Sequence, residues 1–379
     1  MGDSDRSHAS TDRLRLLPGT WRSLVGKIDP ASSRLTWRVR ARYWISSAVQ
    51  SMLQRIQIKS FIDQLDTTTP PAPLFVLGFW RSGTTLLHEL LCCDVRFGFP
   101  STYACLNPAH FLLSERWIRS RTHPRVRRPM DDLRYSWESP QEDEFALLAL
   151  GAPSAYEALI VPSLMRDIDQ LLDLRARPGN GEDLWCKMFD YFLKLLTIQQ
   201  GKAMVLKSPA HGYRLHILQR KFPEARYVLI ERNPYEMFAS NLKLWRTLID
   251  RYGLERCSER QLEEFLLAAY VLHQKIVSEG LERSTPGSIA QIRYEDLVKN
   301  PLEQMQSLYK ALGLEDFETA RKRMEAHMAS VSSHTRNRLR LSRGQKMRID
   351  AAWGEIITRK GYSWPDRNID LSDDSTSGQ

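Results

Sequence analysis

This chain lacks disulfide staples, cysteine pairs of metal-binding spacing and membrane-spanning apolar runs. Its five cysteines (Cys92, Cys93, Cys105, Cys186 and Cys257) are odd in number and form no C-x-x-C pair, so neither a secreted disulfide framework nor a cysteine-based zinc site is indicated. Reduced thiols in a cytoplasmic protein are expected. The most apolar stretch, residues 145–165, is interrupted by Pro153, Glu157 and Pro162 and is too broken to cross a bilayer. Residues 1–10 are polar and lack the apolar core of a signal peptide. Gly2 is present, but Arg6 stands where a myristoylation motif requires Ser or Thr. No repeat of solenoid length and no low-complexity core segment is visible. The expectation is a soluble protein with no transmembrane segment.

What is present is ordinary globular material. A hydrophobic fraction of 42 % with 26 % charged residues can bury a sizeable core, which sets aside disordered and collagenous chains. Lysine and arginine number 54 against 45 acids, and the resulting +9 favours anionic partners: nucleotides, nucleic acid, sulfated or phosphorylated ligands, or anionic membrane. Nucleic-acid modules interleave aromatic platforms with their cations. The basic runs at 119–128 and 335–344 show none, so nucleic acid is not expected as a partner; the first run reads as a solvated loop, the sharper alternative being contact with an anionic acceptor or membrane surface, and the role of the second is left open. A length of 379 residues suits two or three domains, or one large α/β domain with insertions.

The chain divides into a tail with accessory helices (1–66), a main body with helical insertions (67–365) and a disordered polar tail (366–379). In residues 33–61, Trp44, Ile45, Val49, Met52, Leu53 and Ile56 recur at helical spacing and predict one or two accessory helices. Thr67-Thr68-Thr69-Pro70-Pro71 then breaks the chain. From Leu74 the grammar changes. Leu74-Phe75-Val76-Leu77 is a short continuous apolar run, as expected of a strand buried on both faces of a parallel sheet. Ala203-Met204-Val205-Leu206 precedes Lys207-Ser208-Pro209, where Ser208 can cap a helix and Pro209 can open it. Tyr227-Val228-Leu229-Ile230 precedes Glu231-Arg232-Asn233-Pro234 in the same manner, and residues 289–293 form a fourth candidate strand. Strand, turn and helix repeated in this way predict an α/β fold, a parallel sheet wrapped by helices. Residues 130–198 and 261–282 read as mainly helical insertions around it.

Gly78-Phe79-Trp80-Arg81-Ser82-Gly83-Thr84-Thr85 joins the first strand to its helix. The glycine spacing copies the phosphate loop G-x-x-x-x-G-K-[ST], whose backbone amides cradle phosphate at a helix N-terminus. The lysine position holds Thr84, and a cation stands three residues earlier at Arg81. No strand-ending aspartate suited to a metal appears downstream. Such a loop can hold a nucleotide 5′-phosphate while lacking the lysine that reaches the β- and γ-phosphates.

Arg81-Ser82-Gly83-Thr84-Thr85-Leu86-Leu87 resembles the 5′-phosphosulfate loop of the bacterial-type sulfotransferases that use 3′-phosphoadenosine 5′-phosphosulfate (PAPS). The family's second element is a strand-ending Arg with a helix Ser eight residues on; Arg232 and Ser240 match it. Its third, Arg293-Tyr294-Glu295-Asp296-Leu297-Val298, is similar to the family's late strand near the adenosine. The elements occur in the family's order, over residues 74–314. The resemblance implies a P-loop NTPase-like sulfotransferase fold, PAPS as co-substrate bound by Arg81, Ser82, Gly83, Thr84, Thr85, Arg232, Ser240 and Tyr294, and no metal. A sulfuryl group carries less negative charge than a terminal phosphoryl group, so fixed cations and backbone dipoles can suffice for its transfer. The acceptor would be the hydroxyl or amine of a small molecule, lipid or glycan.

The reacting centre is less fixed by motif. Lys207 ends a predicted strand at the carboxyl edge of the sheet, where α/β proteins bind ligands, and can stabilise charge on the transferring group. His211, four residues on, can serve as general base, and so can Glu142 or Glu144 of Glu142-Asp143-Glu144; His88 and Glu89 are outside candidates. Each has a plain alternative: a solvated strand-end lysine, a packing histidine, acids favouring a first helical turn. Two other readings of the loop stay open. One is an ATP- and Mg²⁺-dependent phosphoryl transferase; the other is a nucleotide-binding scaffold without turnover.

Overall fold

The computed structural model describes residues 15–121, 126–127, 134–331, 339–365 and 369–372. The polar residues 1–13, part of each basic run, and residues 366–368 and 373–379 of the tail expected at 366–379 lie outside them; the remainder of that tail, Ile369–Ser372, is not disordered but forms a strand beside Leu339–Ser342. The elements used below are, in chain order, α1 (Trp37–Ser60), β1 (Leu74–Leu77), α2 (Thr84–Leu91), β2 (Phe97–Gly98), α3 (Asp143–Leu150), α4 (Gly181–Gln200), β3 (Ala203–Lys207), β4 (Arg226–Glu231), α5 (Pro234–Tyr252), α6 (Glu259–Glu282), β5 (Ile289–Arg293) and α7 (Arg343–Arg359). They fall into two compact units, one of residues 1–71, 96–206 and 248–257, the other of residues 72–95, 207–247 and 258–379.

The first unit is mainly helical. In it β2 runs parallel to β3, Phe97 opposite Ala203 and Gly98 opposite Met204, while Val126–Arg127 pairs antiparallel with Arg134–Tyr135. The core is aromatic and aliphatic: Trp185 stacks on Phe189 at 4.8 Å, and Phe111 meets Phe192 edge-on at 6.0 Å. One 24-residue helix, α1, occupies the predicted accessory region, started by Thr36, whose hydroxyl accepts from Val39 N. It buries Ser47, Gln50 and Gln57 and leaves Ile45, Val49, Met52 and Ile56 exposed, so the periodicity gave the helix but the apolar stripe faces outward.

In the second unit β1, β4 and β5 run parallel, and Leu339–Ser342 pairs parallel with Ile369–Ser372 in a separate two-stranded sheet. Leu77 of β1 pairs with Leu229 of β4, and Leu229 with Gln291 of β5. All four residues of β1 are buried, as the continuous apolar run requires. Asn233 opens α5, its Oδ1 accepting from Tyr235 N at 3.1 Å. Ser208 likewise accepts from Ala210 N at 3.1 Å, but the chain after β3 turns first through a 3₁₀ segment, Pro209–Arg214, before an α-helix begins at Leu215. Gly212 is the reason. Its bare Cα lets the imidazole of His273 from α6 lie against the turn, where any Cβ would collide with Nε2.

His273 itself is sealed in, edge-on to Phe79 at 5.6 Å and to Tyr213 at 5.3 Å. Burial, helped by the charge of Lys360, pushes its pKa down to about 3. In the unfolded chain the same ring titrates near its ordinary value of about 6.5. Between those values the unfolded chain binds a proton that the folded one refuses, so stability falls as pH drops through this window, by up to ~1.4 kcal/mol per pH unit. A non-titrating His273→Leu variant should lose unfolding temperature less steeply than the parent between about pH 6 and 4. Equal slopes in thermal scans would clear His273 of this role.

Candidate active site

The loop from β1 to α2 is built around a strained residue. Arg81 adopts φ +66°, a left-handed conformation that a long side chain takes only when its surroundings impose it. Two bonds hold the turn: Ser82 N donates to Phe79 O at 3.1 Å, and the fully buried Asn241 of α5 donates to Trp80 O at 2.7 Å. Gly83 follows at φ +104°, with the ring of Tyr294 packed where a Cβ would be. Only glycine meets both demands. No side chain caps α2, and the buried hydroxyl of Ser82 has no hydrogen-bond partner among the described residues. An uncapped eight-residue helix with an unpaired buried hydroxyl at its start is what an anion would complete.

The second predicted element meets the first. Arg81 Nε donates to Ser240 Oγ at 2.9 Å, and Arg232 Nη1 donates to the carbonyl of Arg81 at 3.2 Å. The Arg232 guanidinium lies 4.4 Å from the centre of the Tyr294 ring, the ring that also packs on Gly83. Three regions far apart in sequence, around residues 81, 232–240 and 294, thus converge on two guanidinium groups and a hydroxyl. Glu236 balances this charge: its carboxylate accepts from Arg232 Nε at 3.2 Å and Nη2 at 2.6 Å, one helical turn into α5. Neither Glu236 nor Asn241 was singled out by sequence. The i, i+4 spacing from Arg232 was the one available signal for Glu236.

A strap from the end of α7 closes this corner. Lys360 pairs with Glu231, and its carbonyl accepts from Arg293 Nη2 at 2.7 Å. The carbonyl of Ser363 accepts from Asn233 Nδ2 at 2.8 Å, while Glu295 accepts from Asn233 N at 2.9 Å. Trp364 stands edge-on to Tyr235 at 4.9 Å.

Lys207, the last residue of β3, is only 2 % exposed, close enough to Cys92 at the end of α2 for its charge to be felt by that thiol. A freely solvated strand-end lysine would not look like this. His211 lies in the 3₁₀ turn, fully buried, its ring 5.4 Å from Phe75 in an edge contact. His88 is buried in α2, and Glu89 faces His327 at 3.5 Å. Glu142 and Glu144 belong to the first unit. Glu142 precedes α3, is half-buried and accepts a hydrogen bond from the Tyr156 hydroxyl; Glu144, in the first turn, is fully buried. Among the described residues no three His, Cys, Asp or Glu side chains stand together as metal ligands.

The model of the sulfotransferase family matches residues 73–319, the stretch that holds the β1–α2 loop, Arg232, Ser240 and Tyr294. The chain is 33 % identical over 345 residues to omega-hydroxy-beta-dihydromenaquinone-9 sulfotransferase Stf3 of Mycobacterium bovis, and equally to that of Mycobacterium tuberculosis, covering 90 % of this chain and 89 % of each relative. In fold it is similar to the crystal structures of sulfotransferase STF1 from Mycobacterium tuberculosis H37Rv (TM-score 0.63, 19 % identity, 93 % of this chain and 99 % of that one) and STF9 from Mycobacterium avium (TM-score 0.65, 16 % identity, 96 % and 100 %). These matches define an α/β group-transfer enzyme with parallel strands and flanking helices. The chain belongs to the sulfotransferase family: it moves a sulfuryl group from PAPS to an acceptor. The phosphoryl-transferase and inactive-scaffold readings give way to this one.

Proposed function

We propose that the acceptor is a hydroxyl on an apolar, lipid-like molecule of the isoprenoid quinone kind, and that the reaction runs in the cytoplasm without a metal. The acceptor class rests on the relative that shares one residue in three along nine-tenths of this chain and is named for a hydroxylated dihydromenaquinone. No helix among the described residues is long and apolar enough to cross a membrane, and the five cysteines are thiols rather than disulfides, which suits a reducing compartment.

The observation that carries the nucleotide assignment is the mutual bonding of Arg81, Ser240 and Arg232 around one corner. In this reading residues 67–365 form the catalytic body, and the β1–α2 loop works as in P-loop NTPases. Ser82, Gly83, Thr84 and Thr85 offer amides and hydroxyls to the 5′-phosphosulfate, and Arg81 offers its guanidinium. Arg232 and Ser240 hold the 3′-phosphate, with Tyr294 supporting both halves. PAPS, when bound, supplies the sulfuryl group and a nucleotide leaving group. The acceptor oxygen forms a bond to sulfur as the sulfur–oxygen bond to the 5′-phosphate breaks, and the acceptor proton passes to a base. Lys207 neutralises charge that grows on the departing oxygen. The base is one of His211, Glu142 and Glu144.

The test pairs labelled PAPS with a hydroxylated menaquinone, the same quinone without the hydroxyl, and a simple phenol, with chelator present throughout. Label should pass to the hydroxylated quinone alone, and at an unchanged rate with chelator. Label on the phenol only, or a rate that needs Mg²⁺, would sink the corresponding part of this reading. With an acceptor in hand, Glu142→Gln or Glu144→Gln should lower kcat by ~10²–10⁴-fold. If His211→Asn alone does so, the base is the histidine.

A further inference from the structure

Helix α1 is turned inside out. Ile45, Val49, Met52 and Ile56 stand at i, i+4, i+7 and i+11, within about 60° of arc at 3.6 residues per turn. They are 68 %, 46 %, 57 % and 45 % exposed, while Ser47, Gln50 and Gln57 face the protein. The orientation is anchored: Gln57 Nε2 donates to Pro108 O at 3.1 Å, and its Oε1 accepts from Leu112 N at 3.0 Å. A helix that buries glutamine and shows isoleucine has an outward face suited to something other than water. Trp37 and Trp44 are exposed on the same helix.

Charge says what that something is. Residues 37–60 contain Arg38, Arg40, Arg42, Arg55 and Lys59, all exposed, and no aspartate or glutamate. Projected down the helix, Arg38 and Lys59 fall at the two ends of the apolar stripe, and Arg42 and Arg55 flank it on opposite sides. Cation, apolar stripe, cation is the pattern of a helix lying in a lipid interface: the stripe enters the acyl region while the cationic heads reach up to phosphates on their own alkyl stems. A second copy of the helix is the poorer occupant, because pairing two such faces would gather the cations of both with no acid in either helix to offset them.

We propose that α1 is a membrane-surface helix that docks this enzyme, in the plane of the interface, on anionic lipid bilayers through Ile45, Val49, Met52 and Ile56. The proposal does not depend on the identity of the acceptor, since vesicle binding can be read with no acceptor present.

The experiment is co-sedimentation of the full chain with extruded vesicles of phosphatidylcholine, alone or with one-third phosphatidylglycerol. Each cation near an anionic surface contributes about fivefold in partitioning, so binding to the anionic vesicles should exceed binding to the neutral ones by at least ~10-fold. The triple variant Ile45→Ser, Met52→Ser, Ile56→Ser should lose roughly tenfold or more of that binding. The variant Arg38→Glu, Arg42→Glu, Lys59→Glu should lose the anionic preference. All these side chains are exposed, and unchanged affinity for adenosine 3′,5′-bisphosphate would show that both variants are folded. A parent protein that stays in the supernatant with anionic vesicles overturns the proposal, as does equal binding by parent and variants. A stable dimer that the serine variant splits, with no vesicle binding by the parent, would assign the face to a second copy instead.

Discussion

Arg232→Ala is expected to bring the affinities for adenosine 3′,5′-bisphosphate and adenosine 5′-monophosphate to within a few-fold of each other. In the parent, the bisphosphate should bind roughly tenfold to over a hundredfold more tightly, because a charge-assisted contact to the extra phosphate contributes ~1.5–3 kcal/mol. In the proposed arrangement Arg81 to Thr85 serve the 5′ side in either nucleotide, so monophosphate binding should change little. Glu236 sharpens the test. With Arg232 gone, its carboxylate is left in a site meant for an anion, and the single variant should bind the bisphosphate more weakly than Arg232→Ala combined with Glu236→Gln. Calorimetry with chelator present reads all of these. A parent that binds both nucleotides equally would remove the 3′-phosphate from this corner and with it the role of Ser240.

Replacing Lys207 should strike turnover rather than nucleotide affinity. The ammonium is buried at the carboxyl end of β3, so truncation to alanine would leave a cavity as well as remove a charge. Lys207→Met keeps the stem and isolates the charge. Removing one preorganised group that stabilises transition-state charge lowers kcat by ~10²–10³-fold, with the KM for PAPS within a few-fold of the parent. Near-normal turnover in a folded Lys207→Met enzyme would take the lysine out of the mechanism.

The meeting of Arg81, Arg232 and Ser240 was legible in sequence because its parts are local. Glycine spacing sets the loop, a strand end places Arg232, and helix pitch places Ser240. Its supports were not legible. Asn241 bonds a carbonyl in a loop remote in sequence, and Glu236 is one of many i, i+4 partners a sequence offers. The 3₁₀ turn after β3 was hidden for a related reason. Ser208 and Pro209 signal a helix start correctly, but what the chain does next depends on His273 arriving from α6. In α1, periodicity shows that a helix has a face, and only the rest of the fold decides whether that face looks in or out. The acidic run shows how much adjacency conceals: Glu142 is half-buried against a tyrosine hydroxyl, and Glu144 is fully buried.

The strap at Lys360–Trp364 sets an order on biosynthesis. Asn233 and Arg293 take backbone acceptors from Ser363 and Lys360, and Glu231 takes its cation from Lys360, all residues made long after the strands they secure. A ribosome that has released β1, β4, β5 and every side chain proposed to hold phosphate still displays an unfinished corner, with polar groups open to water. Nucleotide binding should therefore be acquired late and abruptly, when residue 364 clears the exit tunnel, rather than building up strand by strand.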